Sequence, residues 1–155
     1  MTALTGHRHT EQLAVCWLPA DAPVPGWAAA PGRLRAAIRT SAELSIVCAM
    51  DTVPARVRHE GPFTAFEVEG PLELATTGVL AAMLAPLAAA GVSVFTLSTF
   101  DANWVLVPLL QHTSATRALH RAGHTVVQLD PESNPAISQH DPQHHSQQDP
   151  GRKPQ

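Results

Sequence analysis

The chain has 155 residues, of which 45% are apolar and 15% charged, and its net charge is −3. That length holds one domain, or two very small ones sharing a core, and the acidic balance argues against a general binder of nucleic acid or of membrane surfaces. Two cysteines, Cys16 and Cys48, are too few for a disulfide framework, and the opening MTALTGHRHTEQ has no apolar signal segment, so a cytoplasmic protein is expected.

Residues 1–10 read as a loose leader. Leu13–Leu18 (LAVCWL) is a short apolar run with the length of a buried strand. Four prolines between Pro19 and Pro31 predict a loop with one helical turn near Trp27. From Arg33 to Arg39 the alternation puts Arg33, Arg35 and Arg39 on one strand face and Leu34, Ala36 and Ile38 on the other. Such a basic face, extended by Arg56 and Arg58, is ordinarily solvated. No aromatic interleaving marks it for nucleic acid. Glu43–Cys48 is a further strand, Asp51–Pro54 a turn, and Arg56–His59 and Phe63–Glu69 complete a strand-rich half. Both cysteines fall in strands and read as small buried hydrophobes; a bridge is open to them only if those strands are neighbours.

The pattern then changes to helical spacing. Leu80, Met83, Leu84 and Leu87 follow i, i+3, i+4, i+7, with Thr76 or Thr77 as N-cap, Gly91 past the end and Pro86 inside, where it should kink the axis. Val92–Leu97 is a buried strand, Asp101–Asn103 a turn and Trp104–Val107 the return strand. Thr113 is placed to cap a second helix through Arg121, ended by Gly123, and Thr125–Leu129 is the last strand. From Phe63 onward the order is βαββαβ, the ferredoxin-like arrangement of two helices on one face of an antiparallel sheet, preceded by a smaller, helix-poor unit. The expected division is therefore an N-terminal unit at 11–62, a C-terminal domain at 63–130 and a Pro-, Gln- and His-rich tail at 131–155, too polar to order.

Chemistry concentrates at Ser98–Val107. A 27-residue stretch without a charge, Leu74–Phe100, ends there on Ser, Thr, Asp and Asn. Thr, Gly and Pro residues punctuate that stretch into pieces too short to cross a membrane. Polar groups at the mouth of a packed core offer a small ligand directed hydrogen bonds. The opening turn of the first helix adds unpaired N–H groups and positive dipole charge near Thr77, Gly78, Val79 and Leu80. A ligand carboxylate suits that turn, and its ammonium suits the carbonyls and carboxylate of Ser98, Thr99, Phe100, Asp101 and Asn103. Thr76 and Thr77 serve equally as caps, and Asp101 and Asn103 as turn residues.

The words Glu43-Leu-Ser-Ile-Val-Cys48, Val68-Glu-Gly-Pro-Leu72, Thr77-Gly-Val-Leu80, Ser98-Thr-Phe-Asp101, Val105-Leu-Val107 and Ala122-Gly-His124 resemble, in order and spacing, the small stand-alone ACT-domain proteins. Those are built from two ACT-like units and are related to half of the CASTOR-type arginine sensors. The resemblance, over residues 12–130, implies an α+β fold of ACT type, amino-acid binding between paired units, regulation rather than catalysis, and homodimerisation. The charge-poor helix face around Ala81, Ala85 and Ala88 offers a close-packing surface for a second copy. Where the family word ends Asp-x-Asp-Tyr, this chain has Asn103 and Trp104, and Pro108–His112 replaces an acidic helix start. The lost carboxylate makes a basic ligand less favoured. An ACT scaffold kept only as a dimerisation module is the rival reading.

No nucleophile elbow, phosphate loop with Lys or Cys/His ligand spacing marks an enzyme or a metal site, and no cofactor is expected. His7, His9, His140, His144 and His145 fall in the expected leader and tail, without the rigid geometry metal ligands need. His120 and His124 frame a helix end, where the dipole accounts for them.

Overall fold

The computed structural model describes residues 3–68 and 78–130; Thr76, Thr77 and the expected disordered tail lie outside the described residues. In chain order the elements are β1 (Thr5–His9), β2 (Leu13–Pro19), β3 (Ala36–Arg39), β4 (Glu43–Ala49), β5 (His59–Val68), α1 (Val79–Ala89), β6 (Phe95–Ser98), β7 (Asn103–Pro108), α2 (His112–Arg121) and β8 (Thr125–Leu129). All strands join one sheet. The two stretches expected at Arg56–His59 and Phe63–Glu69 are one continuous strand, β5, which begins at His59.

From β5 onward the chain is ferredoxin-like. β5 pairs with β7, β7 pairs with β6, and all three are antiparallel. Phe66, Val68, Val105 and Val107 pack on one sheet face beneath Val79, Met83 and Leu87 of α1 and Ala115 and Leu119 of α2. The expected loose leader is a correction: Thr5–His9 is a strand inserted between the first and last strands of this unit. β1 runs antiparallel to β5, with Gly6 opposite Val68, and parallel to β8, from Thr5 opposite Thr125 to His9 opposite Leu129. Its sequence, Thr-Gly-His-Arg-His, has no apolar alternation, and neighbouring backbones on both edges hold it in place.

The N-terminal half repeats the same order with the helices reduced. A 3-10 turn at Gly26–Ala29 separates β2 from β3, and another at Met50–Thr52 separates β4 from β5. Proline-rich Pro19–Pro31 cannot supply helical N–H donors, so the first crossover stays a loop. β5 closes this half as well: its N-terminal part pairs with β2, Leu13 opposite Phe63 and Cys16 opposite His59, across a register shift. Gly61 lies in that shift with φ 146°, and a Cβ there would come within 2.9 Å of the Leu13 carbonyl oxygen. Only glycine fits so close a strand approach.

β3 is shorter than the alternation predicts, starting at Ala36, with Leu34 buried just before it. Two residues of the expected basic face are not merely solvated. Arg35 donates to the Ala29 carbonyl at 2.6 Å, and Arg39 donates to the carbonyls of Ala20 and Ala22, the latter at 2.7 Å. These guanidinium groups tie the proline-rich loop to the edge strand.

Both helices end in the Schellman arrangement. Gly91 (φ 70°) follows α1, with Val92 N–H on the Leu87 carbonyl at 3.0 Å; Gly123 (φ 86°) follows α2, with His124 N–H on the Leu119 carbonyl at 3.0 Å. The N-caps differ from expectation. Gly78, not a threonine, caps α1, and Gln111 precedes α2. The 3-10 turn Leu109–Gln111 winds directly into α2, so Thr113 falls at its second residue.

His124 has a task beyond any dipole interaction. Pro86 has no N–H, so the Ala82 carbonyl one turn earlier loses its helical donor. The His124 imidazole supplies it, Nε2 to Ala82 O at 3.0 Å, while Nδ1 accepts the Leu4 N–H at 3.3 Å. The Leu4 N–H can only donate, so the proton resides on Nε2. One buried ring thus joins α1, the start of β8 and the entry to β1. The buried thiols of Cys16 and Cys48 are free, and lie on the same face of the adjacent strands β2 and β4. Burial first, then the Cys48 thiol by charge and hydrogen bond, pushes the Cys16 pKa from 9.0 up to about 12.

Replacing His124 by Ala should destabilise the fold by about 1–3 kcal/mol, because a buried C=O and N–H lose their partner. In a Pro86→Ala background, where residue 86 regains its N–H, the same change should cost about 1 kcal/mol less. Urea unfolding of the four proteins reads this coupling, and equal costs in both backgrounds would refute it. The Cys16 shift has a second consequence. An unfolded thiol ionises near 9.0 and the folded one near 12, so stability is intact below pH 9 and declines as pH rises from there toward 12. Cys16→Ala should flatten that alkaline decline in pH-dependent unfolding, and an unchanged slope would assign it to other groups.

Candidate functional site

The end of the sheet where β5 finishes is also where α1 starts and where the β6–β7 hairpin turns. Val68, Asn103 and Ser98 stand side by side in register across β5, β7 and β6. Val79, the first residue of α1, is buried in the same cluster as Val68 and Val105. The structure therefore brings Gly78, Val79 and Leu80 to the same sheet end as Ser98, Thr99, Phe100, Asp101 and Asn103. Thr77 lies outside the described residues.

Gly78 precedes α1 in the left-handed region (φ 82°, ψ −6°) and has no side chain to cap the helix. Its carbonyl accepts from Ala82 at 2.9 Å, so the helix is properly begun. The N–H groups of Val79, Leu80 and Ala81 have no acceptor within the helix and carry its positive dipole end, with no acidic side chain in the first turn. The side chain of Val79 is turned into the core and Leu80 packs partly against it, so these two residues offer backbone to a ligand, not side chain. Nothing lies within 4 Å of a Cβ built on Gly78; its requirement for glycine is the backbone angle, not crowding.

The hairpin is internally bonded more fully than its composition suggests. Thr99 N–H donates to Ala102 O at 2.8 Å, the Thr99 hydroxyl reaches the same oxygen at 3.3 Å, and the Ser98 hydroxyl donates to Asn103 Oδ1 at 2.6 Å. Both hydroxyls are thus spent as donors and keep only acceptor capacity toward a ligand. The Asn103 amide retains its N–H groups, and the Asp101 side chain is exposed. Phe100 is 79% exposed at the tip. The turn can accept from an ammonium group; its side-chain N–H donors come from Asn103.

A second polar constellation, not foreseen, sits on the opposite sheet face. His9 is 3% exposed, its Nε2 2.8 Å from Glu67 Oε2, and its ring stacks on Trp104 with centroids 5.2 Å apart and planes at 25°. Trp104 Nε1 is buried there without a hydrogen-bond partner. Beside His9, at the break between β1 and β2, a cavity of about 350 Å³ is lined by Thr10, Glu11, Gly32, Arg33 and Asp130 among others. The Glu11 carboxylate holds its rim by accepting the Arg33 N–H at 2.9 Å. No sequence signal marks this cluster, because His9 belongs to the strand that reads as a leader. Among the described residues no three His, Cys, Asp or Glu side chains converge to hold a metal ion, and no helix is long and apolar enough to cross a membrane.

Comparison with known proteins fits this architecture. Residues 58–121 match the family model of the ACT domain, and a separate model of an N-terminal domain matches residues 11–56. No curated protein sequence matches the chain. A crystal structure of an Agrobacterium tumefaciens protein is 29% identical, covering 83% of this chain and 96% of that one, with a TM-score of 0.78. A Vibrio cholerae protein of unknown function, described as a possible transport protein, is 16% identical over 77% of this chain and 90% of its own, with a TM-score of 0.64. The ligand-free regulatory subunit of aspartate kinase from Thermus thermophilus is 16% identical over 78% of this chain and 98% of that one, with a TM-score of 0.57. The fold is the ferredoxin-like ACT fold, and the match to the ACT domain spans residues 58–121.

Proposed function

We propose that this is a non-catalytic regulatory protein that binds an amino acid or a related small carboxylate at the sheet end between α1 and the β6–β7 hairpin. The observation that carries the reading is the side-chain-free start of α1 at Gly78, whose first-turn N–H groups have no acceptor within the helix and share that sheet end with the acceptor-rich turn at Ser98–Asn103. A carboxylate on the first-turn N–H groups and an ammonium on the Thr99–Asp101 turn satisfy both halves of an α-amino acid. The ACT domain supports a regulatory role, as do the neighbours named as regulatory subunits of aspartate kinase. Likeness of the Thr77–Leu80 and Ser98–Asp101 words to amino-acid sensors supports the same ligand class. Asn103 in place of an acidic residue directs the preference away from basic amino acids.

The protein acts as a homodimer in this reading. Ala81, Ala85 and Ala88 lie exposed along α1 and allow a second helix to approach closely. The rival, a dimerisation module without a ligand, draws on the hairpin hydroxyls already being used internally.

Thermal unfolding against a panel of amino acids should show a selective rise, because a ligand at a hundred times its dissociation constant adds about 2.7 kcal/mol. Gly78→Val should abolish that rise, and Asp101→Asn, a change at an exposed turn, should weaken it without altering the unliganded protein. A flat panel favours the module, and a rise that survives both changes would refute this placement of the site. Sedimentation equilibrium tests the dimer separately: Ala85→Arg should yield monomers, and an unchanged mass would rule out the α1 face.

A further inference from the structure

On the helix-covered face a second cavity, of about 370 Å³, lies between α2 and the β1–β8 pair. From α2 it is lined by His112, Thr116 and His120, spaced four apart along one row, and by Thr113 and Arg117 along the next. From the strands it takes Arg8 and Gln128. Each titratable group in this lining is Arg or His, and no carboxylate is among them, in a chain with 13 acidic residues against 10 basic ones. The remaining lining groups are two hydroxyls and an amide, all of which donate hydrogen bonds.

Arg8 is not a loose surface side chain. Its strand is paired on both edges, and its guanidinium donates to Gln128 Oε1. That bond fixes the planar fork while leaving further N–H groups, and Gln128 directs its own amide to Asp130 Oδ1 at 3.4 Å, outside the cavity. Arg117 stands exposed on α2 with the two imidazoles on the neighbouring row. Two guanidinium groups, with hydroxyl and imidazole donors beside them, match the tetrahedral oxygens of a phosphoryl group, which accept several hydrogen bonds at once. The volume suits a small metabolite.

We propose that this cavity is a binding site for a small phosphate-bearing metabolite, a phosphate ester or a diphosphate, distinct from the amino-acid site proposed at the start of α1. Its ligand is recognised by Arg8 and Arg117 as paired anchors, with Thr113 and Thr116 donating to the remaining oxygens. The protein then reads two chemistries, one at each of its helices.

Isothermal titration of the full chain with inorganic phosphate, pyrophosphate and ribose 5-phosphate, at fixed ionic strength, tests the site and tells its sources apart. Saturable binding of at least one probe is expected. Preference for pyrophosphate would identify a diphosphate and for the sugar phosphate an ester, whereas tighter binding of free phosphate than of either would overturn the metabolite reading. Arg117→Gln should weaken it about tenfold, the loss of one charged hydrogen-bonding partner. Arg121→Gln, on the same helix but outside the lining, should leave it unchanged. No saturable heat with any probe overturns the proposal. So does equal affinity in Arg117→Gln, or equal weakening by Arg121→Gln, which would mark diffuse charge attraction.

Discussion

Everything in this fold depends on the backbone pairing of β5 along both edges. On one edge its residues Phe63–Val68 bond to β7 throughout. On the other, β2 occupies the N-terminal part and β1 the C-terminal part, so two strands share one edge in tandem. That arrangement lets a single strand end the reduced N-terminal unit and begin the helical one. It also buries Phe66 and Val68 beneath α1 and α2 while Ala65 joins Leu13, Val47, Trp104 and Leu106 on the opposite face. Interrupting β5 would therefore expose the cores of both halves together, and Gly61 is the place where the tolerance is smallest.

Much of this was legible in the sequence because most elements carry their signal locally. Leu80, Met83, Leu84 and Leu87 announce α1, Gly91 and Gly123 mark the helix ends, and Thr125–Leu129 is β8 as expected. The turn between β6 and β7 was legible for the same reason, since turn residues are chosen by backbone geometry. What sequence pattern missed was β1. Burial there comes from hydrogen bonds to two neighbouring strands, and the side chains of His7, Arg8 and His9 reveal nothing of it. With β1 went His9 against Trp104 and Glu67, whose partners lie 58 or more positions away in sequence.

The N-caps failed for a different reason. A threonine before an apolar stripe is a sound cap in isolation, yet α2 grows out of a 3-10 turn at Leu109–Gln111, and α1 begins on a glycine in the left-handed region. Among the described residues, neither N-cap side chain bonds to its helix. That is costly for stability and useful for binding, because an uncapped N-terminus keeps its donors for an external acceptor. His124 shows the opposite choice at the other end of the fold. There the carbonyl freed by Pro86 is matched by a fixed imidazole, so the stretch of α1 that bears on the core and on β1 stays fully bonded.

Insertion of β1 also explains the position of the second cavity. In a ferredoxin-like sheet the last strand lies against the first, and the helix before it packs over both. Here β8 is displaced outward by one strand, about 4.8 Å. α2 cannot follow the whole distance, because Ala115 and Leu119 remain buried in the cluster with Phe66 and Val107. The space between the helix and the β1–β8 pair is the cavity lined by Arg8, Arg117 and Gln128. The strand that opens the gap brings one guanidinium to it, and the polar face of α2 brings the other. A segment that reads as featureless in sequence thus shapes the sheet and lends Arg8 to the cavity beside it.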